Sequence, residues 1–131
     1  MLNYRHRLFL ILNKMQKLVQ TVVDVEILSG ERKNDQTTPR LKSGTVVSIA
    51  FYPFSTPTSN VNVKLESNKG EELHPAVTYK NFVPNTGGSY NDAFKPILFP
   101  AGDNIEIYLT SKIDLTADFK GQFIFNILQD I

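Results

Sequence analysis

The side chains best suited to chemistry are few in this chain. There are two histidines, His6 and His74, and no cysteine. Nucleophilic catalysis with histidine as the base needs that histidine beside a Ser or Cys nucleophile. His6 stands in a basic opening stretch, and His74 lies between Leu73 and Pro75 in a segment that reads as an edge strand. Neither context sets up such a pair. Zinc needs three or four nitrogen, sulfur or oxygen ligands at close range, which two distant histidines do not supply. Oxygen ligands for calcium come from Glu71-Glu72, Asp92, Asp103-Asn104, Asp114 and Asp118. None of these follows the spaced loop with a terminal Glu, and Asp and Asn in loops commonly hydrogen-bond their own backbone instead. Glu71 and Glu72 are adjacent, so in a strand they point to opposite faces rather than across a cleft, as glycoside hydrolysis requires. Asn85-Thr86-Gly87-Gly88-Ser89 is rich in glycine but lacks the Lys-Ser/Thr and following helix of a phosphate cradle. The expectation is a chain that is not an enzyme and carries no metal or cofactor.

The elements around these residues are strands. Val23, Val25 and Ile27 alternate with Asp24 and Glu26. Val61, Val63 and Leu65 alternate with Asn62, Lys64 and Glu66, and Ile105, Ile107 and Leu109 with Glu106, Tyr108 and Thr110. Phe119, Gly121, Phe123, Phe125 and Ile127 share one face near the end, with Gln122, Ile124, Asn126 and Leu128 on the other. A period of two marks a half-buried strand. Thr45 to Tyr52 is apolar and β-branched on both faces, as a central strand would be. Residues 29–35 read as a polar turn or loop, residues 53–60 as a loop, and residues 84–92 as a long one. Pro75 places its strand at an edge or bulge. Runs recur about every ten residues without helical patterns between them. They predict an all-β, antiparallel β-sandwich or jelly-roll-like domain of about seven to eight strands over residues 18–131.

Residues 1–17 differ. Tyr4-Arg5-His6-Arg7 precedes Leu8-Phe9-Leu10-Ile11-Leu12. The apolar run is short for a secretory signal and lacks a small-residue cleavage site after it. Leu8, Ile11, Leu12 and Met15 stand at helical spacing, so the segment reads as a short amphipathic helix or an arm packing on the domain or a neighbour; a third reading starts the domain at Met15, with residues 1–14 an upstream extension. No apolar stretch reaches the ~18 residues of a transmembrane helix. Lys and Arg total 14 against 13 Asp and Glu, a balance that gives no general attraction to nucleic acid. Nine Phe and five Tyr remain to be placed. Phe119, Phe123 and Phe125 read as core. Tyr52, Phe54, Tyr79 and Tyr90 fall near loops, where aromatics can present contact area to a partner.

Lys95-Pro96-Ile97-Leu98-Phe99-Pro100-Ala101-Gly102-Asp103-Asn104-Ile105-Glu106-Ile107-Tyr108-Leu109, followed by Asp118-Phe119-Lys120-Gly121-Gln122-Phe123-Ile124-Phe125-Asn126-Ile127-Leu128, resembles small virion structural proteins, especially of bacteriophages, with β-sandwich or jelly-roll folds. That resemblance implies a capsid or other virion component, located in the virion and binding neighbouring subunits of the same assembly as a homo-oligomer. The candidate interaction residues come from the apolar run and the loop positions, not from the resemblance: Leu8, Phe9, Ile11 and Leu12 in the arm and Tyr52, Phe54, Tyr79 and Tyr90 at the loops. The alternative is an extracellular or cell-surface module binding a carbohydrate or other ligand through those loop aromatics.

Overall fold

Side chains on a strand point alternately to its two sides, so a chain of alternating apolar and polar residues buries one side by stacking two sheets. The computed structural model describes residues 16–84 and 93–130, and within them this is the outcome. The strands are β1 (Gln16–Ile27), β2 (Lys33–Thr37), β3 (Thr45–Pro53), β4 (Val61–Ser67), β5 (Glu72–Thr78), β6 (Lys95–Pro100), β7 (Ile105–Ser111) and β8 (Phe119–Asp130), with a 3-10 turn at Tyr79–Phe82. The first sheet has the order β1-β8-β3-β6 and the second β2-β7-β4-β5. Every pairing is antiparallel. The chain thus crosses repeatedly between two four-stranded sheets. This is the jelly-roll arrangement, an architecture found in viral capsid, lectin and cupin domains.

The core fills the space between the sheets. Val23, Val25, Ile27, Ile49, Phe51, Phe123, Phe125 and Ile127 come from the first sheet, and Val61, Val63, Leu65, Ile107 and Leu109 from the second. Phe51 sits at its centre, 4.6 Å from the Phe123 ring centroid, 6.0 Å from Phe119 and 6.1 Å from Tyr79. Burying one such ring contributes roughly 1.5–3 kcal/mol. Gly121 makes room for it: a Cβ there would stand 2.6 Å from Phe51 Cε1 and 2.9 Å from the Tyr52 carbonyl oxygen.

Three details depart from the sequence pattern. Lys33–Thr37, part of which reads as a polar loop, is an edge strand paired with β7. Its exposed positions need no apolar residue, so periodicity does not reveal it. Gln16 and Lys17, assigned by pattern to the arm, already belong to β1, where they pair with Asp130 and Gln129. The rest of that arm, residues 1–15, lies outside the described residues. Val47 is the extra residue of a bulge, since Val46 faces Ile127 and Ser48 faces Asn126. After it, Ile49 and Phe51 return to the core.

All four sheet edges are blunted. On β1, the Gln20, Asp24 and Glu26 carbonyls point away from β8. They accept hydrogen bonds from Lys42 Nζ (3.1 Å), Gln36 Nε2 (2.6 Å) and Asn34 Nδ2 (2.8 Å). β6 carries Pro96 and Pro100, β5 carries Pro75, and β2 alternates the exposed charges Lys33 and Asp35. Prolines and charges discourage another strand from adding to an open edge.

Candidate functional site

Register places side chains in rows across each sheet, and the outward rows of the two sheets differ in kind. On the first sheet the rows are Leu18–Leu128–Thr45–Pro100, Gln20–Asn126–Ser48–Pro96, Val22–Ile124–Ala50 and Asp24–Gln122–Tyr52. Glu26 faces Lys120 beyond them. On the second they are Lys33–Thr110–Asn62–Thr78, Asp35–Tyr108–Lys64 and Thr37–Glu106–Glu66–Glu72.

One end of the first sheet's outer face is therefore apolar. Leu98 is 78% exposed, Val22 50% and Leu18 46%. Leu128 and Ile124 stand in the same rows and are half-buried. The polar row between them is internally satisfied: Gln20 Nε2 donates to Asn126 Oδ1 and Asn126 Nδ2 to Ser48 Oγ, each at 2.9 Å. Asn126 is only 1% exposed, and a satisfied amide there adds little polarity to the surface. Exposed apolar patches rimmed by polar groups mark interaction surfaces.

The other end of the same face is a polar groove lined by Asp24, Glu26, Gln36, Phe54, Lys120 and Gln122. Glu26 Oε2 and Lys120 Nζ are 3.7 Å apart. Phe54 is 63% exposed at its rim. Its backbone N–H donates to the Lys120 carbonyl at 2.9 Å, which carries the β3–β8 ladder one rung beyond Pro53 and fixes the backbone at that position.

The second sheet's outer face is hydrophilic throughout. Lys64 Nζ lies 2.8 Å from Glu66 Oε2 and 5.9 Å from the Tyr108 ring centroid. Hydrogen bonds from the Lys64 ammonium and the Tyr108 hydroxyl hold the Glu66 carboxyl below its usual range. The hydrogen bond to Glu66, with its charge, pushes Lys64 up. Tyr108 rises through its hydrogen bond to Glu66 and then through desolvation.

The loop aromatics separate. Phe54 is exposed, and Tyr52 is half-buried with its ring 6.5 Å from that of Phe94. Tyr79, expected as a contact residue, is 5% exposed and packs edge-on against Phe51 and Phe119. It is core, because the 3-10 turn carries it inward over the end of the sandwich. Leu8, Phe9, Ile11, Leu12 and Tyr90 lie outside the described residues.

Three of the groups considered for chemistry hold turns together, while His6 and Asp92 lie outside the described residues. Asp118 Oδ1 accepts from the Ser29 N–H at 2.8 Å, Asp114 pairs with Arg32 at 2.8 Å, and Asn104 Nδ2 donates to the Thr38 carbonyl at 2.8 Å. The Asp114 hydrogen bond also raises the Arg32 pKa. His74 Nδ1 is 2.8 Å from the Pro75 carbonyl, and its ring stands 5.0 Å from Phe82. Among the described residues no three His, Asp or Glu side chains converge as a metal site. No helix among them is long and apolar enough to cross a membrane.

No family model and no curated protein matches the sequence. Among solved structures, the chain is similar to one from the acidic stable capsid of Helicobacter pylori bacteriophage KHP30. That match has 13% identity and a TM-score of 0.43, over 89% of this chain and 100% of that one. It is similar to a chain of the cyanophage Pam1 capsid asymmetric unit at 16% identity and a TM-score of 0.43, over 86% and 84% respectively. A tailspike protein of bacteriophage CBA120 matches at 16% identity and a TM-score of 0.32, over 89% of this chain but 19% of that one. The chain thus bears a weak resemblance to phage capsid proteins.

Proposed function

We propose that this chain is a non-enzymatic structural subunit of a symmetric assembly, a capsid or other virion component, which binds copies of itself. The observation that carries this reading is the apolar end of the first sheet's outer face, formed by Leu18, Val22, Leu98, Ile124 and Leu128. The sandwich already has a closed core, so these side chains are not needed to fold it. Covering them between subunits removes apolar area from water, at about 25 cal/mol per Å². The blunted edges leave faces, loops and the N-terminal segment as the means of contact. A face-to-face or arm-to-face assembly follows, rather than a continuous intersubunit sheet.

Solution mass tests this directly. Size-exclusion chromatography with light scattering, over a range of protein and salt concentrations, should give a defined closed oligomer. Because apolar contact drives it, the oligomer should persist as salt is raised. Deleting residues 1–14 should weaken assembly while the circular dichroism of the sandwich is kept. A monomer under every condition would remove the proposal.

A further inference from the structure

The groove beside Phe54 is a second site on the same face, and its chemistry differs from that of the apolar end. We infer that it binds a neutral oligosaccharide, with the Phe54 ring as the stacking platform. Phe54 is the one aromatic among the exposed large hydrophobic side chains of the described residues. The ladder hydrogen bond to Lys120 fixes the backbone that carries the ring at the groove's rim. The groove measures about 470 Å³, within the span of small-ligand sites.

The lining selects the ligand class. A sugar ring presents one apolar C–H face and a rim of hydroxyls, each both donor and acceptor. An aromatic ring meets the first. Carboxylates accept, an ammonium donates and an amide does both, so together they meet the second. The groove holds all three kinds in Asp24, Glu26, Lys120 and Gln122. The Asp24 carboxylate and the Gln122 amide make no side-chain hydrogen bond among the described residues and remain available to a ligand. Two carboxylates face one ammonium, and Glu26 already lies 3.7 Å from that ammonium. The residual charge is negative, which disfavours uronates, sialosides and phosphates. A purely apolar ligand would leave the carboxylates desolvated. Among sugars, the neutral ones fit this lining best. The groove begins at the Asp24–Gln122 row, next to the Val22–Ile124 row, so it borders the apolar end that a subunit would cover.

The test is a microarray of neutral and anionic glycans probed with the labelled full chain and with Phe54→Ala. Any hit is then measured by calorimetry. The two proteins are first matched in solution mass, so that lost assembly and lost sugar binding are told apart. The native chain should bind neutral glycans and leave anionic ones blank. Phe54→Ala should weaken binding about tenfold or more, and Gln122→Ala should weaken it less. An array blank for neutral glycans, a preference for anionic ones, or binding unchanged by Phe54→Ala at equal mass would each overturn the site. A Phe54→Ala protein that loses mass while the native array is blank would reassign Phe54 to the subunit contact.

Discussion

The outer faces of the two sheets share one backbone plan and almost nothing else. Both belong to four-stranded antiparallel sheets over the same core. The face of the second sheet carries charges in every row, with threonines and an amide among them, and Tyr108 in these rows is tied to Glu66. The face of the first sheet carries leucine, valine and isoleucine at one end, and a polar groove with an exposed phenylalanine at the other. Fold stability does not require this difference, because each sheet buries its inner side equally well. The second face suits a solvated sandwich, and the first leaves exposed apolar area that the fold itself does not cover.

The largest expected effect tests how the first face is held in shape. Gly121→Ala places a methyl against Phe51, a ring hemmed in by Phe119 and Phe123. It should destabilise the domain by about 1–3 kcal/mol in denaturant titrations. Gly70→Ala, in the β4–β5 turn of the second sheet, meets no atom within 4 Å and is opposed only by its φ of +85°. It should cost about 1 kcal/mol, so equal losses would deny Gly121 its packing role.

Val22→Asp comes next. It puts a charge on the apolar end of the first face and should raise the dissociation constant of the assembly about tenfold or more. Asn62→Asp, on the second face, should leave the mass unchanged, and if both or neither dissociate the oligomer the two faces are equivalent. Thr21→Val is smaller and opposite in sign. Thr21 Oγ1 is buried on the inner side of β1 with no partner among the described residues. The substitution should raise stability by roughly 1 kcal/mol.

Glu66→Gln should do least. The carboxyl of Glu66 is depressed on folding, so its contribution is present above the ordinary carboxylate range and lost as pH falls through the lower folded value. Lys64 is raised, so its contribution is complete below the ordinary lysine range and lost as pH rises through the higher folded value. The pair is half-buried on a solvated face, so at neutral pH the variant should unfold only slightly earlier than the native chain. Below the carboxylate range the variant's stability should fall less steeply with acid than that of the native chain.

Much of this arrangement was legible in the residues themselves. Strict alternation marks β1, β4, β7 and β8, and Thr45 to Tyr52 reads correctly as an interior strand. Even the outward Ile124 and Leu128 show in the pattern of β8. The limits have physical causes. β2 is polar because it lies at an edge, so no hydrophobic period announces it. Tyr79 looks like a loop aromatic because its burial depends on Phe51 and Phe119, which are distant in sequence. The groove is invisible in the linear chain because Asp24 and Gln122 become neighbours only when β1 pairs with β8.

That pairing also decides when the molecule can exist. β8 is the last of the eight strands to leave the ribosome, yet it lies inside its sheet, with β1 on one side and β3 on the other. Until it emerges, β1 has no partner in its sheet, and the core lacks Phe119, Phe123, Phe125 and Ile127. The nascent chain therefore waits with its apolar faces open, in the manner of folds dominated by contacts between distant residues. A translation product that stops short of Phe119 is exposed hydrophobic chain rather than a smaller version of the domain, and becomes a substrate for chaperones and proteases.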